Sequence, residues 1–117
     1  MSQLNLKAEL TGKGPVNNTY IYLEELPKKN NIKAIPIALQ PKNSTRKEWS
    51  HNNILVDVEG TLDLQLNIHA IMGTSWTFKL SKKEGTAWKK LYETEGETGD
   101  DLNVGNNKSI IITSITI

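Results

Sequence analysis

Between positions 62 and 70 the chain alternates strictly, with Leu62, Leu64, Leu66, Ile68 and Ala70 separated by Asp63, Gln65, Asn67 and His69. Successive side chains of a strand point to opposite faces, so this segment predicts a strand with one apolar and one polar side. Trp76, Phe78 and Leu80 alternate in the same way with Ser75, Thr77, Lys79 and Ser81. If the two strands pair as a hairpin, the turn must bring their apolar faces to one side. A two-residue Gly73-Thr74 loop would set Ile71 opposite Trp76 and fail that requirement. A three-residue loop of Ile71, Met72 and Gly73, with Gly73 in the left-handed conformation, pairs Ala70 with Thr74 and Ile68 with Trp76. Leu66 then faces Phe78, and Leu64 faces Leu80.

A second turn repeats the chemistry of the first. Lys83, Glu84 and Gly85 form a matching loop that pairs Lys82 with Thr86, Leu80 with Trp88 and Trp76 with Tyr92. The expectation is a three-stranded meander over 62–92, with Trp76 and Trp88 turned inward. Gly73-Thr74-Ser75-Trp76 and Gly85-Thr86-Ala87-Trp88 resemble one another through shared turn chemistry. Two units are too few for a stacked-repeat architecture.

The same alternation extends over most of the chain. Leu4, Leu6, Ala8 and Leu10 mark a first strand, ended by Gly12-Lys13-Gly14-Pro15. Tyr20 to Leu26 is a second, whose apolar residues fall on both parities, so it is covered on both faces or bulged. Pro27 to Asn31 is a polar loop. Ile35, Ile37 and Leu39 alternate around Pro36, which lacks the donor of a central strand and predicts an edge strand or extended linker. Gln40 to Asn53 is the longest irregular segment, polar except for Trp49. Ile54, Val56 and Val58 form a short strand leading into the meander. Glu93 to Asn107 is rich in Gly, Asp, Asn and Glu, with Leu102 and Val104 its large apolar residues. Ser109 to Ile117 has isoleucines on both parities and predicts a central strand. About eight short strands without a helical period indicate one all-β domain over 1–117, a two-layer antiparallel β-sandwich, with a small β-barrel as the alternative.

Length and composition change this picture little. A chain of 117 residues can bury roughly two-thirds of its unfolded surface without staples. The absence of cysteine excludes disulfides, thiolate metal sites and thiol nucleophiles. The N-terminus lacks a basic region followed by an apolar run, which predicts a cytoplasmic protein or one exported without a cleavable signal peptide. No apolar stretch approaches the ~20 residues of a membrane-spanning helix. The 14 basic and 13 acidic residues are interspersed, for a formal charge of +1. A nucleic-acid-binding domain would be more basic, with a pI above about 9. The sequons at Asn17, Asn43 and Asn107 matter only in a secretory pathway.

Candidate chemistry is sparse. His51 and His69 stand in different elements, and no Ser-His-Asp spacing, phosphate loop or His-Glu-x-x-His helix is present. No catalytic constellation and no cofactor are expected. Asp100 and Asp101, close to Glu95 and Glu97, form the densest acidic stretch, and with Asp57 and Glu59 they are weak Ca²⁺ candidates. A solvated turn explains the same residues, and no metal is favoured. Trp49 stands in a polar segment, where it would either contact a ligand or fold back to plug the sandwich. Tyr20 and Tyr22 share one parity and could extend an aromatic platform or simply pack. Ile71 and Met72 put two apolar residues on a turn tip, where polar residues are usual; they are either covered by the Gln40 to Asn53 segment or form a small patch for a partner.

Asp63, Gln65, Asn67, His69, Ser75, Thr77, Lys79 and Ser81 would form one polar outer face of the meander. Such a face suits a polyhydroxylated ligand and is also the ordinary solvated side of a sheet. The first expectation is a non-enzymatic binding module contacting a glycan or a protein through Trp49, Ile71, Met72, His69, Asn67, Gln65 and Thr77. The second is a structural or assembly protein that self-associates, or joins a larger particle, through an edge strand or the 71–72 tip.

Overall fold

The computed structural model describes residues 2–24, 36–58, 60–100 and 105–117. It contains β1 (Ser2–Gly12), β2 (Val16–Glu24), β3 (Ile37–Ala38), β4 (Gln40–Pro41), β5 (Glu48–Val58), β6 (Thr61–Ala70), β7 (Ser75–Glu84), β8 (Ala87–Glu97) and β9 (Lys108–Thr116). Sheet A has the order β4-β5-β1-β7-β8 and sheet B the order β3-β2-β6-β9. All strand pairs are antiparallel, and the two sheets pack face to face as a β-sandwich. The expectations for Pro27 to Asn31, for the end of the second strand, and for Ile35, Leu102 and Val104 lie outside the described residues.

Parity decides the core. Leu6, Ala8 and Leu10 of β1 and Trp76, Phe78 and Leu80 of β7 point inward from sheet A. They meet Ile21 and Leu23 of β2 and Leu62, Leu64, Leu66, Ile68 and Ala70 of β6 from sheet B. Burying one large apolar side chain contributes about 1.5–3 kcal/mol, so this interlocked layer is the main source of stability. Trp76 also satisfies its polar edge there: its indole N–H donates to the Ser109 hydroxyl (3.1 Å), which donates to the Glu97 carbonyl (3.1 Å). Its ring packs against Gly96, where a Cβ would sit 2.7 Å from the ring.

The expected pairing of Ile68 with Trp76 and Leu66 with Phe78 does not occur. β6 pairs with β2 and β9, whereas β7 pairs with β1 and β8. Residues 71–74 form an arch that carries the chain from sheet B to sheet A. An arch turns the apolar faces of two strands toward each other across the sandwich; a hairpin puts them side by side. Both satisfy the same alternation. Gly73 does adopt the left-handed conformation assigned to it, at φ 86°.

The second turn is a true hairpin with a shorter loop. Glu84 pairs with Ala87, leaving Gly85-Thr86 as a two-residue loop with Gly85 at φ 64°, the geometry expected for glycine at the first position of a type II′ turn. A bulge at Leu91, opposite Leu80 and Ser81, then restores the inward parity of β8. Leu80 therefore pairs with Tyr92, and Trp76 with Gly96. Trp88 pairs with Lys83 on the outer face, half-buried, with the Lys7 ammonium 5.7 Å from its ring centroid.

Parts of two segments expected to be irregular are strands. β5 begins at Glu48, so Trp49 pairs with Leu10 inside a sheet, and a bulge with Asn53 at φ 59° reconciles its parity with that of Ile54, Val56 and Val58. β8 continues beyond Tyr92 to Glu97. The last strand departs from expectation in another way: β9 pairs only with β6 among the described residues and is an edge rather than a central strand. Its isoleucines occupy both parities because Ile111 and Ile115 pack on the core while Ile112 faces solvent.

Candidate functional site

The sandwich separates the polar face expected of the meander into two. Gln65, Asn67 and His69 line the outer face of sheet B, together with Asp63. Thr77 lies on the outer face of sheet A beside Thr11 and Glu95, on the far side of the core. There it lines a shallow open cleft of about 360 Å³ with Thr11, Lys13, Ser75 and Glu95. The arch between β6 and β7 is the cause, since it sends the two strands into different sheets.

Trp49 is buried, with 3% of its surface exposed. Its indole N–H donates to the Arg46 carbonyl (2.8 Å), and the Arg46 guanidinium stacks 4.8 Å from its ring centroid. Arg46 in turn donates to the carbonyls of Val16 and Asn17, which ties the 42–47 connection to the start of β2. Trp49 closes one end of the core and offers no open ring face for stacking.

The acidic candidates do not converge. Asp57 pairs with Gln3 at one end of β1, whereas Asp100 follows the end of β8, near the Gly12 end of β1. The nine positions from Gln3 to Gly12 span roughly 30 Å at about 3.3 Å per residue, too far for one ion. Glu59 and Asp101 lie outside the described residues. Among the described residues no group of three His, Cys, Asp or Glu side chains could hold a metal ion. The histidines are also separated: His51 belongs to sheet A, where its Nδ1 lies 3.1 Å from the Ala38 carbonyl, and His69 belongs to sheet B. Among the described residues, no helix is long and apolar enough to cross a membrane.

The fold does bring together the arch tip and the β6/β9 side of sheet B. Ile71 and Met72 are 71% and 58% exposed. Their backbone is held by Thr98, a buried residue just after β8 that strand alternation does not reveal. Gly73 N–H donates to the Thr98 carbonyl (2.8 Å), and Thr98 N–H donates to the Thr74 carbonyl (3.0 Å). The Thr98 hydroxyl accepts from Thr74 N–H (3.0 Å) and donates to the Ile71 carbonyl (2.6 Å), which also receives the Thr74 hydroxyl (2.7 Å). Below the tip, Ala70 N–H donates to the Asn107 carbonyl (3.0 Å). The apolar tip is thus a rigid projection on a hydrogen-bonded backbone.

Along the same side of sheet B, cross-strand rows run Tyr20–Asn67–Ile110 and Tyr22–Gln65–Ile112. Tyr20 meets Tyr22 edge-on at 5.6 Å and stacks with His69 at 5.9 Å. Gln65 donates to Asn67 (2.9 Å), which donates to the Tyr20 hydroxyl (3.2 Å). His69 pairs with Lys108 across β9. Partial burial, then the Lys108 charge, lowers its pKa below the ordinary histidine value of 6.5. Comparison with protein-family models, curated proteins and solved structures finds no significant match for this chain.

Proposed function

We propose that the protein is a non-enzymatic binding module that engages a protein partner through the Ile71-Met72 tip. The observation that supports this reading is a pair of large apolar side chains, 71% and 58% exposed, on an arch that Thr98 pins from both sides. A tip already fixed loses little conformational entropy when it docks, which is how preorganised contacts gain affinity. Burying each side chain in a partner pocket adds roughly 1–2 kcal/mol. Substituting both therefore weakens binding by about 30-fold or more.

The test is affinity capture with wild type, with an Ile71→Ser/Met72→Ser double variant, and with Leu55→Ser as a control at another exposed apolar position. Partners retained by wild type and the control but lost by the double variant, at unchanged melting temperature, support the reading. Equal capture by all three proteins overturns it.

A second reading, glycan binding, draws on one observation: the edge-on Tyr20-Tyr22 pair beside the Gln65-Asn67-Tyr20 hydrogen-bond chain. A glycan array answered by wild type and not by Tyr22→Ala would favour it over the tip. Silence on the array would remove it.

A further inference from the structure

Among the described residues the sandwich has four strand edges, and three are built to refuse a further strand. β4 is two residues long, contains Pro41, which has no N–H to donate, and covers only Trp49 and Ser50 of β5, whose remaining length is bulged at Asn53 and carries Asp57. β3 is equally short and follows Pro36 directly. β8 is bulged at Leu91 and carries Lys89, Lys90, Glu93, Glu95 and Glu97. Short length, proline, bulges and charge are the devices by which sheets avoid edge-to-edge pairing. β9 has none of them over most of its length. It runs for nine residues, keeps an unbroken register with β6, and bears one charge, Lys108, at its first position.

The beginning of that edge is occupied. Gly99 N–H donates to the Lys108 carbonyl (3.2 Å), and the Ser109 hydroxyl is engaged with Trp76 and Glu97. From Ile110 to Thr116 the segment is Ile-Ile-Ile-Thr-Ser-Ile-Thr, without a charge and, among the described residues, without a strand on its outer side. Ile112, on the outward face of this run, is 75% exposed.

We infer that β9 pairs antiparallel with β9 of a second copy of this chain, about a two-fold axis at Thr113. This inference is independent of the tip reading and assigns a different surface. The midpoint of the free seven-residue run sets the register. Thr113 meets Thr113 of the second copy, Ile111 meets Ile115, Ile112 meets Ser114, and Ile110 meets Thr116. Threonine pairs and β-branched apolar pairs are among the favourable cross-strand combinations, and no like charges come together. On the inward side the Ile111–Ile115 contacts carry the apolar layer across the seam. The β3-β2-β6-β9 sheet becomes a continuous eight-stranded sheet in the dimer. A copy of itself fits this edge better than a charged strand, because the run offers nothing to complement a charge.

Light scattering over a concentration series tests the state. The expected mass rises toward twice the 13.1 kDa of one chain. Ile112→Lys places a charge in the middle of the edge while leaving the core untouched. It is expected to raise the dimer dissociation constant about tenfold or more at unchanged melting temperature. The chain has no cysteine, so Thr113→Cys introduces a unique thiol on the axis. Directly opposed residues of an antiparallel pair have Cβ atoms about 4.5–5.5 Å apart, within reach of oxidation or a short linker. Thr113→Cys should therefore cross-link quickly, and Leu55→Cys, at an exposed position of β5, should not. A chain that stays at 13.1 kDa to millimolar concentration overturns the inference. So does a dimer that survives Ile112→Lys while Thr113→Cys stays unlinked. The Ile71→Ser/Met72→Ser variant should dimerise as wild type does, which keeps failure of the tip reading separate from failure of this one.

Discussion

Gly73-Thr74-Ser75-Trp76 and Gly85-Thr86-Ala87-Trp88 share a pattern of glycine, threonine, a small residue and tryptophan, yet they make different structures. The first closes an arch between two sheets; the second closes a hairpin within one. Trp76 is buried against Gly96 and hydrogen-bonded to Ser109, whereas Trp88 lies half-buried on the outer face under the Lys7 ammonium. In both, a glycine at positive φ makes the turn. The fate of each tryptophan is set beyond the turn, by the strand that receives the outgoing chain. β7 docks on β1, a strand distant in sequence, and β8 docks on its immediate predecessor.

The largest expected difference is between the two tryptophans. Trp76→Ala empties a core site and should cost about 3–5 kcal/mol, measured by urea denaturation. Trp88→Ala removes a half-exposed ring and a weak cation–π contact, and should cost about 1 kcal/mol or less. Equal losses would mean that Trp88 belongs to the core and that the Leu91 bulge is misplaced.

The threonines give a smaller contrast. Thr98→Val leaves the Ile71 carbonyl and the Thr74 N–H with fewer partners in a partly buried site, and should cost about 1–3 kcal/mol. Amide exchange should quicken at Gly73 and Thr74 more than in β7. Thr86→Val, on the exposed hairpin loop, should change stability by no more than about 0.5 kcal/mol. A Thr98→Val protein with unchanged exchange at Gly73 would break the claim that Thr98 holds the arch.

The smallest effect is on pH. His69 stands just before the arch, and the hairpin segment 82–88 contains no histidine. Because the folded-state pKa of His69 is lowered, the folded protein favours the neutral ring. The associated stability is fully present above the unfolded value of about 6.5, and is lost as pH falls below that value through the folded one. Melting temperature should drop modestly between about pH 7.5 and about pH 5. Lys108→Gln should raise the His69 pKa measured by NMR and lessen the drop. Amide exchange at Ala70 and Ile71 should track this transition, while exchange at Glu84 to Ala87 should not.

Much of the fold is legible in the sequence because strand alternation is a direct record of burial. The inward residues of β1, β6 and β7 and the left-handed Gly73 follow from parity and turn chemistry alone. The exposure of Ile71 and Met72 does not: sequence puts them on a turn tip, but only the fold decides that the 40–53 segment leaves them uncovered. Trp49 is opaque because its strand is bulged at Asn53, which breaks the parity linking it to Ile54. Thr98 is opaque because a buried threonine in a polar segment looks like any turn residue. The site is less legible than the fold. Gln65, Asn67 and His69 do share a face, but Thr77 belongs to the opposite side of the molecule, and Asp57 and Asp100 lie at opposite ends of sheet A.

The sequence by itself determined the class of structure, most of the strands, and the face that each of the well-alternating strands buries. Side-chain period and hydrophobic burial act locally, so they can be read residue by residue. Only the tertiary structure decided which strands are neighbours, where the edges fall, and which polar residues share a surface. An alternating strand satisfies burial equally well beside its neighbour in one sheet or facing it from another. Backbone hydrogen bonds to strands distant in sequence, and the packing of Trp76 against Gly96 and Ser109, make the choice between them.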